Sequence, residues 1–260
     1  MKKFVDDVAV QFGTATRESI EQFGNITLFF FRIVRAVPSA LKRFHLIVEQ
    51  MMRLGVSSIP IILLSSMFVG AISVWQVQYL FADAVPLTYL GSAVGKAVFT
   101  ELGPVLTALV VTGRIGAKLA AELGTMKVTE QIDAMTCLSL DPYCYLLAPR
   151  MIAGIIMLPV LTIFASFFAI ISAQVLAEIA LGLRSPIFYQ GLKWLFRVQD
   201  VIICLLKAFV FGGVITLSGC YYGFLTKGGA VGVGKSTKKA VVAAMVLILV
   251  SNLIVINILL

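Results

Sequence analysis

The stretch 229–237, GAVGVGKST, has residue types and a spacing that could bind a nucleotide phosphate. It matches G-x-x-x-x-G-K-[ST], in which backbone amides and a lysine surround the phosphates. Such a loop needs a buried strand before it, a soluble helix after it and an acidic residue elsewhere to hold Mg²⁺. The surrounding chain decides whether these elements can be present.

The composition is that of a membrane protein. Of the 260 residues, 60% are hydrophobic and 13% are charged, whereas soluble domains contain about 25% charged residues. A membrane-crossing helix needs about 20 apolar residues, and four segments of about that length carry no charge and no histidine: 54–82, 151–177, 208–226 and 240–260. A fifth candidate, 84–113, is apolar but contains Lys96 and Glu101. We predict an all-α integral membrane protein with five transmembrane helices.

These spans leave no room for a nucleotide-binding fold around Lys235, because one span ends nine residues before it and the next begins five residues after it. We predict instead a short cytoplasmic turn made flexible by its glycines, Gly228, Gly229, Gly232 and Gly234. Ser236 or Thr237 would cap the last span. The lysines that follow, Lys238 and Lys239, would face lipid phosphates.

The distribution of basic residues predicts the orientation. With five spans, sixteen Lys and Arg fall on one side of the membrane and three on the other. The positive-inside rule then places the amino terminus and both longer basic loops in the cytoplasm and the carboxyl terminus outside. Because the basic residues are spread along these flanks rather than clustered with aromatic residues, we expect no nucleic-acid partner.

No catalytic or metal-binding set is recognisable. The single histidine, His45, lies outside the spans, and the four cysteines have no zinc-like spacing. A membrane enzyme that acts on lipids would need a Ser/His/Asp or metal constellation, which the spacing does not offer.

An amphipathic segment precedes the first span. Apolar residues recur at steps of three and four, at Phe23, Ile26, Phe30, Ile33, Val37, Leu41, Phe44, Val48 and Met51. Arginines and lysines flank this seam, which indicates helices lying in the headgroup plane. Pro38 should divide the segment into two helices. We therefore divide the chain into an interfacial segment, 1–53, and a five-helix membrane domain, 54–260.

The loop 122–142 is the most informative. On one helical face it carries Val128, Ile132, Met135 and Leu138, and on the opposite face Thr129, Glu130 and Asp133. Its four acidic residues stand against the single Lys127, on the side where basic residues dominate. Docking to a basic cytoplasmic partner explains this pattern, and a solvated connector helix is the alternative.

Several long motifs resemble one family. ELGPVLTALVVTGRIGAKLAAELGTMKVTEQIDAM at 101–135, LDP at 140–142, PR at 149–150 and CYYGFLTKGGAVGVGKSTKKAVV at 220–242 closely resemble the MlaE-like permeases. These are membrane subunits of lipid-moving ABC transporters that work with MCE-domain proteins. The resemblance covers essentially the whole chain after the amphipathic segment.

The resemblance implies an inner-membrane homodimer of five-span permeases, so that 54–260 is the permease domain. By the same resemblance, the acidic helix around Glu122 to Met135 is a coupling helix that would sit in a groove of a separate ATPase subunit. That subunit, rather than this chain, would bind ATP and Mg²⁺ and carry the enzymatic activity. The residues that we assign to ATPase coupling are Glu122, Thr125, Lys127, Thr129, Glu130 and Asp133.

A lipid pathway is expected at Glu101, Leu102, Pro104 and Lys207, where Pro104 can leave backbone carbonyls unpaired beside the carboxyl group. Many relatives carry Arg before the Glu-Leu-Gly-Pro run, whereas this chain has Thr100. A structural ion pair between Glu101 and Lys207 or Lys96 is the alternative for this site.

A secondary transporter is the alternative function. Its ion or proton path would consist of Lys96, Glu101, Glu178 and Lys207. The acidic cytoplasmic helix separates the two functions, because a secondary transporter has no partner for it.

Overall fold

The computed structural model describes residue 21, residues 24–81 and residues 85–259. Within these ranges every regular element is a helix. Five helical stretches of the described chain are long and apolar enough to cross a membrane: Phe44–Phe81, Leu87–Val128, Tyr143–Leu181, Val198–Phe224 and Gly229–Ile258. The predicted all-α membrane fold with five spans is confirmed. Residues 1–20, Phe23 and Leu260, which belong to the segments predicted above, lie outside the described residues.

Two helices begin the described fold, α1 (24–41) and α2 (Phe44–Leu54). The segment is divided into two helices, but the predicted position of the break at Pro38 is wrong, because α1 continues past Pro38 and the helix is interrupted at Lys42 and Arg43. Pro38 removes one amide donor. Ile33 and Ala40, on either side of it, are both fully buried, and this packing holds the helix together through the proline.

α1 packs on the bundle through a face that overlaps the predicted seam, since Ile33 is buried and Ile26, Phe30 and Val37 are partly buried against the same cluster. Its buried residues are Phe29, Ile33, Ala36 and Ala40. The Phe29 ring contacts the rings of Tyr143, Tyr221 and Phe224, with centroids 5.4–5.8 Å apart. This aromatic contact turns Phe29 inward. A location of α1 and α2 in the headgroup plane stays a prediction.

The second span is interrupted twice by π-helical turns. In chain order its parts are the 3₁₀ turn Leu87–Tyr89, α4 (Leu90–Ala97), a π turn (Val98–Leu102), α5 (Gly103–Val111), a second π turn (Thr112–Gly116) and α6 (Ala117–Val128). A π turn rotates the following helix relative to the preceding one, and such turns are frequent at functional sites.

The remaining helices complete the bundle. α3 (Ile59–Phe81) follows α2 after the 3₁₀ turn Val56–Ser58, and the others are α7 (Gln131–Cys137), α8 (Ala148–Leu181), which follows the π turn Tyr143–Leu147, α9 (Ser185–Leu195), α10 (Val198–Phe224) and α11 (Gly229–Leu259).

The prediction of a flexible turn over 229–237 is wrong, because α11 begins at Gly229. The Thr237 hydroxyl donates to the carbonyl oxygen of Val233 at 2.8 Å, so Thr237 lies inside the helix rather than capping it. Gly232 allows close packing, since a Cβ there would lie 1.9 Å from the Lys227 carbonyl oxygen. Amides that are engaged in helical hydrogen bonds cannot surround a phosphate.

α8 is central to the bundle and packs against α3, α10, α2 and α5. Glycines allow its closest contacts. A Cβ at Gly70 of α3 would lie 1.9 Å from the Ala169 carbonyl oxygen, and one at Gly212 of α10 would lie 2.7 Å from the Gly154 carbonyl oxygen. Small residues at helix contacts are typical of membrane bundles.

α11 packs on α10 and α6 but has the smallest buried share of the five spans. Ala240, Ala244 and Ile248 are buried against the bundle. The opposite side leaves large apolar side chains exposed, namely Val242, Val246, Leu249, Val250, Leu253, Ile254 and Ile258.

Candidate functional site

A polar cluster joins three spans inside the apolar bundle. The Lys207 ammonium of α10 donates to a carboxylate oxygen of Glu101, in the first π turn of the second span, and its side chain is only 1% exposed. The other Glu101 oxygen accepts from the Asn252 amide of α11. The carboxylate therefore connects α10, α11 and the second span. This chain leaves 41% of the Glu101 side chain uncovered.

The local backbone explains why Lys207 points to this position. A continuing α-helix would satisfy the Thr100 carbonyl with the N–H of residue 104, which is a proline and has none. The Lys207 ammonium lies 2.7 Å from that oxygen and donates to it. One buried cation thus satisfies both an ionised side chain and a backbone acceptor.

Asn252 was missed by the sequence analysis. It is an amide in an otherwise apolar span, a residue type that usually needs a partner inside a membrane bundle. That signal alone could have singled it out. Its Oδ1 atom is buried and has no hydrogen-bond partner among the described residues.

The other residues proposed for this region lie apart from the cluster. Leu102 lines a small cavity of about 90 Å³ between α3, α5 and α8. Lys96 lines a cleft together with Arg197 and Asp200, and Thr100 of the cluster also lines this cleft. Glu178, near the end of α8, accepts hydrogen bonds from Gln174 and Ser185. Of the four groups proposed for an ion path, the structure thus joins Glu101 and Lys207.

The acidic loop is divided rather than continuously helical. α6 ends at Val128, Glu130 has a left-handed backbone with φ of 59°, and α7 starts at Gln131. The Lys127 ammonium lies 2.6 Å and 2.9 Å from the two Asp133 oxygens and so links the two helices across the break. The predicted coupling helix around Glu122 to Met135 is therefore two helices, α6 and α7, rather than one.

The residues of this loop differ in how far they are buried, and most of those assigned to ATPase coupling are exposed. Ile132 is 2% exposed and anchors α7 to the bundle. Thr125, Thr129, Glu130 and Asp133 are exposed. Leu138, which was placed on the apolar face with Ile132, is 72% exposed, because the backbone turns beyond Cys137, where α7 ends.

Glu122 differs from the other coupling residues, because its carboxylate faces α8 of the bundle. One of its carboxylate oxygens is 3.7 Å from the guanidinium of Arg150 at the start of α8. Arg150 is buried and also donates to the Leu146 carbonyl oxygen in the third π turn. Its Nε atom has no partner among the described residues. Glu122 thus ties α6 to α8.

Within the described residues, no group of three or more His, Cys, Asp or Glu side chains could hold a metal ion. The arrangement offers an intramembrane ion pair and an exposed acidic surface at one end of the bundle.

Comparison with known proteins gives a consistent result. The family model described as Permease MlaE matches residues 47–258. A probable ABC transporter permease protein of Rickettsia felis is 34% identical over 249 residues, which are 96% of each chain. A probable ABC transporter permease protein of Synechocystis sp. is 41% identical over 204 residues, which are 78% of each chain.

A plant relative is similar over a smaller share of its own length. Protein TRIGALACTOSYLDIACYLGLYCEROL 1, chloroplastic, of Arabidopsis thaliana is 36% identical over 206 residues. The matched region is 79% of this chain and 59% of the plant protein.

Proposed function

The chain belongs to the MlaE permease family and is a multi-pass membrane permease subunit of the ABC transporter type, and from this premise we propose that it moves phospholipids or similar lipids between the inner membrane and a periplasmic MCE protein. Two copies of the permease form the working unit. A separate ATPase subunit binds ATP and Mg²⁺ and hydrolyses the nucleotide.

The observation that supports the proposal is the unequal burial of the two side chains of the ion pair. Lys207 is sealed inside the bundle, whereas much of the Glu101 side chain is left uncovered by this chain. A carboxylate facing hydrocarbon is costly, so this side faces a cavity rather than lipid tails. A largely apolar cavity with one polar group suits an amphiphile, whose chains lie along the wall while its headgroup meets the carboxylate.

A second copy of the permease would complete that cavity. The exposed apolar face of α11 adjoins the cluster through Asn252. Covering this face with a second α11 would remove a large apolar surface and bring the two Glu101 side chains toward a common axis. The lipid would then enter between the two copies.

The name of the plant relative, which is that of a galactolipid, supports a lipid substrate. The position of Glu178 speaks against the secondary transporter, because Glu178 bonds Gln174 and Ser185 near the end of α8 rather than the Glu101–Lys207 pair. Proton or ion coupling needs a continuous series of titratable groups.

The exposed acidic residues around α7 are the proposed ATPase contact. Glu130 and Asp133 are exposed at the break between α6 and α7, and a basic groove on the ATPase would complement them. Movement there would reach the bundle through α6, where Glu122 pairs with Arg150 of α8. In the orientation predicted from the basic residues, α7 is cytoplasmic and α9 is periplasmic.

Reconstitution tests the proposal. The permease and its ATPase would be placed in liposomes that contain a fluorescent phospholipid, and transfer to or from a soluble MCE protein would be followed with and without ATP. We expect transfer that requires ATP and both subunits. Transfer driven by a proton or ion gradient without ATP would instead indicate a secondary transporter.

A further inference from the structure

A basic cleft lies at the α7 end of the bundle, away from the Glu101 cluster. It has a volume of about 250 Å³ and opens between α1 and the chain just before α8. Its lining residues are Arg32, Arg35, Ala36, Ser39, Asp141, Tyr143 and Cys144. We propose that this cleft binds the phosphate group of an anionic phospholipid.

The cleft has a surplus of positive charge. Arg32 and Arg35 are three residues apart on α1, so both point to the same side of the helix. Neither forms an ion pair with another described residue. The facing carboxylate, Asp141, accepts the backbone N–H of Tyr143 at 3.0 Å and is partly satisfied by it. Two guanidinium groups are thus available to an added anion.

A third arginine supports the wall of the cleft from behind. Arg43 donates to Cys144 Sγ at 2.9 Å and to the Tyr145 hydroxyl at 2.8 Å. These bonds hold the segment 141–145 against the junction of α1 and α2 and add positive potential next to the cleft. Guanidinium groups bind phosphate oxygens through paired hydrogen bonds.

The surroundings favour a lipid over a soluble anion. Leu28 and Phe31 are 61% and 60% exposed, and each lies one helical turn before one of the two arginines. α1 therefore presents bulky apolar side chains beside paired cations, which is the pattern of a helix that meets both acyl chains and headgroups. A lipid bound here would bridge α1 and the segment that connects α7 to α8.

The test is a titration of the full-length permease in detergent with phosphatidylglycerol, followed by native mass spectrometry. Combining Arg32→Gln with Arg35→Gln should weaken phosphatidylglycerol binding about tenfold, because two charge-assisted contacts are lost. Lys227→Gln with Lys235→Gln is the matched control, since both lysines are exposed, neither lines the cleft and the same charge is removed. We expect this control to bind like the unchanged chain.

Further arms make the result specific. Arg32→Lys with Arg35→Lys keeps the charge but loses the paired hydrogen bonds, and it should retain part of the affinity. Both arginines are exposed, so the variants should unfold at the temperature of the unchanged chain. Phosphatidylcholine should bind more weakly than phosphatidylglycerol, and millimolar inorganic phosphate should not displace the lipid.

Three results would overturn the proposal. If the Arg→Gln double variant and the Lys→Gln control lost lipid affinity equally, the attraction would be diffuse rather than that of a binding site. Displacement by inorganic phosphate would show a site for a free anion. Unchanged lipid binding together with loss of the co-purifying ATPase would show that the two arginines meet an acidic protein surface instead.

Discussion

The Lys207 ammonium donates to the backbone oxygen of Thr100 at a distance of 2.7 Å, in the turn where Pro104 provides no amide hydrogen. The same ammonium pairs with Glu101. Lys207 therefore donates to two acceptors of the second span at once, the Glu101 carboxylate and the Thr100 backbone carbonyl. Its removal should affect the fold as well as the charge of the site.

Replacing Lys207 by Met should destabilise the permease strongly. Met keeps much of the volume but leaves Glu101 and the Thr100 carbonyl without their donor, and breaking a buried ion pair costs about 3–5 kcal/mol. Thermal unfolding in detergent, followed by intrinsic fluorescence, would measure the loss. Adding Glu101→Leu should recover part of it, because the uncompensated charge is then removed as well. An unfolding temperature equal to that of the unchanged chain would contradict the role of Lys207.

The packing of α3 on α8 can be tested by comparing Gly70→Ala with a control substitution at another glycine. Gly70→Ala should destabilise the bundle, because its Cβ would lie 1.9 Å from the Ala169 carbonyl oxygen and backbone atoms cannot move aside cheaply. Gly234→Ala is the control, since no atom lies within 4 Å of its added Cβ. In α11 that change should be neutral or stabilising by up to about 1 kcal/mol. Equal unfolding temperatures for the two variants would refute the close contact.

The spans and one ion pair could be predicted from sequence, because both rest on signals carried by single segments. Apolar length identifies a span, and an ionisable residue within a span calls for a partner, which is how Glu101 and Lys207 were paired as one of two alternatives. The contact of Asn252 with Glu101 could not be assigned in this way, because an uncharged amide both donates and accepts and so does not indicate one type of partner.

The local backbone was predicted less well. The interior π turns and the left-handed Glu130 leave little trace in apolar periodicity, which assumes an unbroken helix. The glycines of 229–237 suggested flexibility. Gly232 is instead required for packing, because a Cβ at this position would collide with the Lys227 carbonyl oxygen. Glycine has both uses, and the tertiary contact decides between them.

The helical start of α11 predicts the behaviour of Lys235. Lys235→Ala should leave ATP turnover of the assembled complex within about twofold, because a helical segment does not surround phosphates as the nucleotide-binding loop does. Lys235 is exposed, so the change should not disturb folding. ATP hydrolysis would be measured on the complex, and ATP binding on the permease alone. Tight binding of ATP by the isolated permease would contradict this prediction.

The acidic surface at the α6–α7 break should determine ATPase association. Glu130→Lys with Asp133→Lys would place positive charge against a basic groove and could cost several kcal/mol of assembly free energy. The permease should still fold, because both residues are exposed and the surface pair of Asp133 with Lys127 contributes only about 0–1 kcal/mol. Co-purification of the ATPase is the measurement.

Glu178→Lys provides the control for that variant, since Glu178 belongs to the α9 end of the bundle, where it bonds Ser185. It introduces the same kind of charge reversal away from α7 and should leave ATPase association unchanged. If the double variant retained the ATPase as well as the control does, the acidic surface would not be the contact.

Glu101→Gln separates a structural ion pair from a wall of the lipid cavity. Gln keeps the shape, and its single oxygen can still accept from Lys207, while its NH₂ group could donate to the unpaired Oδ1 of Asn252 if that amide turns over. The buried Lys207 ammonium nevertheless loses its counter-charge. This chain leaves 41% of the Glu101 side chain uncovered, so the lost charge should also act on what the uncovered side faces. We expect a smaller loss of thermal stability than for Lys207→Met, because Gln still accepts from Lys207, together with slower ATP-dependent lipid transfer per folded complex. A large loss of thermal stability with normal transfer would instead assign Glu101 to helix packing. If neither quantity changed, Glu101 would have no role in stability or in transport.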